Sequence, residues 1–216
     1  MIKFNSVETY GWEAAIIGMR NPMDSWGKSD SKFVPAKTVV NGNLITYPCT
    51  AIIGDDDKRL MHNLIKAGSD HRKFMRFITV TVNITAPLYW WKEFDTYKVG
   101  TVANSCSTMH KIHSKPFEID QFSTEHLVDP YLITLGMTID ALNEARDKYI
   151  ETKDKRYWWQ MIQILPTSYN QMRTVQLNYE VLRNIYHSRK DHKLDEWHSF
   201  CEDFVKLLPY HEFITD

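Results

Sequence analysis

Residues 101–115, TVANSCSTMHKIHSK, crowd hydroxyls (Ser105, Ser107, Thr108), an amide (Asn104), a thiol (Cys106), two histidines and two lysines into one short run. Such a run offers hydrogen-bond donors and cations to an anion such as a phosphate. It equally suits a solvated loop. Cys106 would be a nucleophile if a neighbouring cation lowered its pKa, and a buried, inert thiol is the other reading. His110 and His113 share a helical face as metal ligands do, but no Cys or carboxylate stands at a matching spacing. Farther on, NYEVLRNIYHSRKDHK sets Arg183, Asn184, His187 and Arg189 on or beside an apolar-striped helix. Asn184 and Arg189 are about 140° apart on a helix, so both flank one cleft while Leu, Val and Ile face the core. A guanidinium suits two-point recognition of a phosphate or a pyrimidine edge, and the same charges suit an ordinary outer face. No dinucleotide-binding glycine fingerprint, P-loop or nucleophile elbow occurs among only eight glycines.

The elements that must carry these residues are read from periodicity. Ile78, Val80, Val82 and Ile84 alternate with Thr79, Thr81, Asn83 and Thr85, which predicts a strand over 77–85 ended by Pro87. LYWWKEFDTYK then reads as a helix under that strand. Trp90 and Trp91 would point about 100° apart on it, so one domain core is expected to take one and a subunit interface the other. Asn41-Gly42 between TVV and NLITY reads as a hairpin turn. Asp55, Asp56 and Asp57 precede a stripe of Leu60, Leu64 and Ile65, predicting a helix with an Asp N-cap that stops at Gly68, although an Asp triplet also suits a hard cation. Helices are expected at 130–151, at 155–164, from near Ser168 to about Lys190, and at about 193–208 before Pro209. Long helices outnumber short strands, an α+β chain of one domain across residues 1–216.

Composition limits the partners. With 26 Lys+Arg against 27 Asp+Glu the formal net charge is −1, which argues against bulk nucleic-acid binding. The hydrophobic share of 43% allows a sizeable core. The uncharged run at residues 77–91 is too short and polar to span a bilayer. The amino terminus lacks a signal-type apolar stretch. Three cysteines without CxxC spacing fit a reducing compartment, hence a cytoplasmic protein.

The order of these pieces resembles the flavin-dependent thymidylate synthases. The chain reads NLIKAGSDHRKF, then MRFITVTVNITAP, then LYWWKEFDTYKVGTVANSCSTM. In that family a helix leads to a His, an amphipathic strand ends in Ala-Pro, an aromatic helix follows, and the motif Arg-His-Arg-x-x-Ser-x-Asn-Glu-x-Ser-x-Arg comes next. By this resemblance His71 falls on the family's nucleotide- or flavin-site His, and Asn104 and Ser107 on the motif's Asn and second Ser. Leu165-Pro166 precedes Asn184 and Arg189 at the family's Asn-to-Arg spacing. The Arg-His-Arg triplet is replaced by about Thr96-Tyr97-Lys98 or Tyr97-Lys98-Val99, the motif's Glu by Ser105 and its final Arg by Met109. The Gln-rich tail that follows the family's C-terminal Arg is changed to Asp195, Glu196 and Trp197.

The resemblance implies a small antiparallel sheet packed with long helices and a helix-rich C-terminal half. It implies FAD reduced by NADPH, dUMP or a related nucleotide as substrate, methylenetetrahydrofolate as carbon donor, and sites shared within a homotetramer. Its reaction puts a one-carbon unit on C5 of the pyrimidine. The resemblance gives Arg189 the polarisation of the pyrimidine, and Ser107 a contact with the nucleotide phosphate or a place near C6. His71, Asn184, Asn104 and Lys98 then hold flavin, and Ser105 and Tyr97 join the nucleotide site. Loss of the triplet implies weaker flavin binding, which Lys98, Lys111 and Lys115 offset only as point charges. Such divergence would suit a virus with modified DNA, working in host cytoplasm. The alternatives are a catalytically silent homologue that binds nucleotide or assembles, and an unrelated helical protein.

Overall fold

A computed structural model describes residues 2–34, 37–40, 43–46 and 50–216. The chain begins with β1 (Lys3–Tyr10) and α1 (Trp12–Arg20), continues through short strands β2 (Lys32–Val34), β3 (Lys37–Val40), β4 (Asn43–Thr46) and β5 (Thr50–Ile52), and enters α2 (Asp55–Lys66). Next come β6 (Thr79–Pro87), α3 (Leu88–Phe94), β7 (Val102–Ser105), α4 (Tyr131–Thr152) and α5 (Lys155–Ile164). The chain closes with β8 (Asn170–Asn178), α6 (Tyr179–Arg189), α7 (Asp195–Ser199) and α8 (Glu212–Thr215). Four strands form one sheet in the order β1-β6-β8-β7, while β2 pairs with β5 and β3 with β4. The β3–β4 register sets Val40 against Asn43. The expected turn at Asn41-Gly42 lies outside the described residues. None of the described helices is long and apolar enough to cross a membrane.

Alternation fixes β6. Ile78, Val80, Val82 and Ile84 are fully buried, and the intervening Thr and Asn are half-buried. Its neighbour β8 corrects the helix expected from Ser168. Val175 and Leu177 are buried two apart, and the backbone is paired with β6 at both ends, Leu88 N–H to Tyr169 O at 3.0 Å and Tyr179 N–H to Ile78 O at 3.0 Å. The helix starts only at Tyr179, where the Asn178 side chain accepts from the Val181 N–H. Sheet pairing thus overrides a stretch that merges with a real helix stripe downstream.

The chain divides into two compact units. The first comprises residues 1–5, 83–98 and 103–175. There Leu135, Ile139, Leu142 and Ala145 of α4 and Met161 of α5 pack with Ile112, Phe117 and Phe122. The Asn143 side chain accepts from the Phe117 N–H at 2.8 Å and donates to its carbonyl at 2.9 Å, tying the preceding loop to α4. Both Trp90 and Trp91 are buried in this chain, contrary to the expectation that an interface takes one. Their rings meet edge to face at 4.9 Å, Trp90 stacks on Phe94, and Trp91 Nε1 donates to the Gln171 carbonyl. The Arg173 guanidinium covers Trp91 at 4.3 Å. One short helix therefore buries two diverging rings because both of its flanks are packed.

The second unit comprises residues 6–82, 99–102 and 176–216. The predicted Asp N-cap of α2 is also corrected. The cap is Gly54, and the Asp30 carboxylate accepts from the Asp56 and Asp57 N–H groups at 2.9 and 3.1 Å. Asp57 is buried and turned to Arg20. Met61 and Ile65 form the buried stripe, with Leu60 and Leu64 at its half-buried margins, and Gly68 follows the helix at φ +107°. The expected last helix is α7, a wider turn at Phe200–Phe204 and a tight turn at Val205–Leu207, ending before Pro209. Trp197, Phe200, Phe204 and Leu208 are buried along it.

Candidate functional site

Two segments far apart in sequence make a cleft of about 650 Å³ in the second unit. One is the turn between α2 and β6, which supplies Arg72 and Arg76. The other is the start and outer face of α6, which supplies Asn178, Glu180, Val181, Arg183, Asn184 and His187. Val99 and Gly100 complete the lining. Gly100 has φ +75°, and a Cβ there would lie 3.1 Å from a Val181 methyl and 3.3 Å from the Asn178 amide. Only glycine lets this backbone approach the N-terminus of α6 so closely.

Charge dominates the lining. Three arginines against one glutamate leave +2 with His187 neutral. Arg72 and Glu180 form a bidentate pair, with Nε 2.9 Å from Oε2 and Nη2 3.0 Å from Oε1. Arg183 Nη1 donates to the Ile214 carbonyl at 3.2 Å, so α8 braces this guanidinium from behind. Partial burial and the neighbouring Arg72 charge push Arg183 below the usual arginine value, which leaves it charged at neutral pH. Partial burial, then Arg183 and Lys190, hold the His187 imidazole below the ordinary histidine value. The arrangement holds cations beside two carboxamides and an apolar wall, a donor set for phosphoryl groups with a flat ring alongside.

The residues singled out from sequence divide between this cleft and other places. Asn184 lines it. His71 is exposed, its N–H on the Gly68 carbonyl, one residue before Arg72 and outside the lining. Arg189 is half-buried with its guanidinium 5.0 Å from the centre of the Trp197 ring, also outside the lining. In the first unit, Asn104 and Ser105 stand exposed on β7, and the Ser107 hydroxyl accepts from the Met109 and His110 N–H groups in a local turn. Cys106 is exposed, in contrast to the buried reading, while Cys201 is buried and its thiol is pushed up to about 11 by burial. Tyr97 is half-buried just after α3, and Lys98, Lys111 and Lys115 are exposed. His113 packs on Tyr149 at 4.9 Å. Among the described residues no three His, Cys, Asp or Glu side chains group as a metal site.

Arg72 and Arg76 are functional candidates that sequence reasoning passes over. Their only signal is position: they follow His71, inside the stretch that leads into β6. Arg183 and His187 sit beside the apolar stripe of α6, but the resemblance favours Arg189, whose partner Trp197 comes from α7.

No family model matches the sequence, and no curated protein matches it. Solved structures do match. Thymidylate synthase X of Helicobacter pylori, crystallised with FAD and dUMP, superposes with a TM-score of 0.69 at 15% identity, over 100% of this chain and 97% of that one. The fold is that of the flavin-dependent thymidylate synthases. A second structure of flavin-dependent thymidylate synthase ThyX from Helicobacter pylori, complexed with FAD and dUMP, gives 0.66 at 15% identity over 98% and 97%. PolB, a UMP/dUMP methylase from Streptomyces cacaoi bound to 5-Br dUMP, gives 0.60 at 14% identity over 100% and 95%. The structural match covers 100% of this chain, whereas the sequence pieces that carry the resemblance span roughly residues 60–110 and 160–210.

Proposed function

We propose that this chain, as a single thymidylate-synthase-like unit, binds a pyrimidine deoxynucleotide with FAD and places a one-carbon unit on C5 of the base. The observation that carries this reading is the cleft between the Arg72–Arg76 turn and α6, cationic and lined by Asn184, on a fold whose solved examples include complexes with FAD and dUMP. The donor set fits the charged half of a flavin dinucleotide: Arg76 and Arg183 hold phosphoryl oxygens, Asn178 and Asn184 take hydroxyl or ring contacts, and Val99 and Val181 form an apolar side. When bound, reduced FAD supplies hydride. The protein's part is to orient ligands and to place positive charge where the pyrimidine carbonyl gains electrons as C5 attacks. Asn104, Ser105 and Ser107 on the exposed β7 segment, with Tyr97 and Lys98, are the proposed contributors to the nucleotide site, and His71 joins the flavin side. NADPH as reductant, methylenetetrahydrofolate as donor and a homotetrameric assembly follow from the same reading.

A second reading is a homologue that binds nucleotide without turnover. It is favoured by Arg189, the cation the resemblance gives to the pyrimidine, resting over Trp197. Purified protein titrated with FAD by fluorescence quenching and with dUMP by calorimetry should saturate in the micromolar range. Incubation with both, plus NADPH and methylenetetrahydrofolate, should convert dUMP to a C5-substituted product seen by chromatography. Binding without conversion selects the second reading, and no binding of either ligand rejects both.

A further inference from the structure

His187 stands in the cleft among cations from two elements. The imidazole faces the backbone carbonyl of Ile214, whose partial negative charge favours the protonated ring. A neutral ring that turns its one N–H to that carbonyl leaves the other nitrogen an acceptor, which cannot bind an anion. Protonation turns it into a second donor. The charged groups around it are Glu180 and Arg183 on its own helix, Lys190 just past the end of that helix, and Arg72 and Arg76 from the turn before β6. Beyond the Ile214 carbonyl lies Asp216, which acts on Arg183 and pairs with His62 at 3.7 Å. Cations outnumber the anions there, and they keep a proton off the imidazole while the cleft holds no counter-charge. Two negative charges seated among the arginines cancel that excess.

We propose that His187 is a proton-linked ligand for a phosphoryl group: an anion entering among Arg72, Arg76 and Arg183 draws one proton from solvent onto the imidazole, which then donates to it. This deepens the nucleotide reading and rests on the same cleft. The phosphoryl group comes either from a nucleoside monophosphate or from the pyrophosphate of a flavin dinucleotide, and the two are separable. The holding pattern implies that affinity rises as pH falls from 8 to 6, by roughly tenfold for each unit that the bound anion raises the imidazole pKa.

Isothermal titration in two buffers of different ionisation enthalpy counts the protons taken up. Wild-type protein and His187→Gln are titrated separately with FAD and with dUMP at pH 6, 7 and 8. Gln keeps a donor for Ile214 but cannot charge, and His187→Asn serves if the first variant does not fold. The expected result is proton uptake by wild type with one of the two ligands, and its loss in the variant, identifying which phosphoryl group the cleft holds. The titration of the dUMP phosphate itself is common to both proteins and cancels in the comparison. Uptake that is equal in wild type and variant, or absent from both, overturns the proposal. If neither FAD nor dUMP binds, inorganic pyrophosphate is the probe: uptake that depends on His187 then sustains this inference while the nucleotide reading falls, and no binding overturns both.

Discussion

Arg20 with Asp57 and Arg72 with Glu180 are both arginine–carboxylate pairs, held in two ways. The first pair is sealed, with side chains 5% and 0% exposed. Every group around it is spoken for. Arg20 Nε lies 2.6 Å from Asp57 Oδ1, its other nitrogens donate to the Ser25 and Lys28 carbonyls, and Asp57 Oδ2 accepts from Ser29 and Ser31. The second pair is 22% and 19% exposed and stands in a cleft where Arg76 and Arg183 add charge it does not neutralise. A fully satisfied pair locks the 20–31 loop to α2. A partly wet pair inside a cationic cleft leaves an electrostatic field for a ligand. Satisfaction of the neighbours, more than the salt bridge itself, separates structure from site.

The contrast is broken most sharply at Asp57. Asp57→Asn leaves Arg20 buried and uncompensated, and is expected to cost about 3–5 kcal/mol, read as a large fall in urea midpoint. The same group makes an acid prediction. Burial alone would raise the Asp57 carboxyl, but the bonds from Ser29, Ser31 and Arg20 outweigh it and hold it below the usual carboxylate range. Its contribution is therefore present above that range and is lost as pH falls through the lower folded-state value. Wild type should lose more stability than Asp57→Asn between pH 4 and pH 2, and parallel acid-unfolding curves by circular dichroism would contradict it.

At the cleft, effects should appear in binding before stability. Arg183→Gln removes one charge-assisted donor worth about 1.5–3 kcal/mol, so affinity for the cleft ligand should drop roughly 10- to 150-fold while the melting temperature moves little. A matching loss of stability would make Arg183 a brace for α8 instead. Glu180→Gln works the other way. It frees Arg72, and FAD or dUMP should bind several-fold tighter, at a stability cost of about 1 kcal/mol. Weaker binding on this substitution would mean that Glu180 itself touches the ligand. Smallest is Arg189→Ala. Lifting a guanidinium off Trp197 should cost about 0.5–1 kcal/mol and change dUMP affinity less than about threefold. A tenfold loss would return Arg189 to the nucleotide, where the resemblance places it.

Local pattern carried much of this fold. Residues 78–84 alternate with period two, and a strand needs nothing beyond that pleat to sort its faces, so β6 was legible. The helices α4 and α5 were legible too, and β3 and β4 pair on either side of the expected turn. The order of pieces was enough to place the chain in the thymidylate synthase fold. Tertiary structure decided what one segment cannot express. Residues 170–178 became a strand because β6 offered its backbone groups, and Trp90 and Trp91 found two sets of partners within the same unit.

The site follows the same division. The run at 101–115 looks chemical in sequence, yet β7 is exposed and the Ser107 hydroxyl is taken up by its own turn. Arg72 and Glu180 meet across 108 positions of chain, and Arg20 and Asp57 across 37. Composition gives an arginine its charge. Whether that charge is neutralised in a core, laid on a tryptophan or presented in a cleft depends on which distant groups packing brings within about 3 Å, and no spacing along a single helix records that.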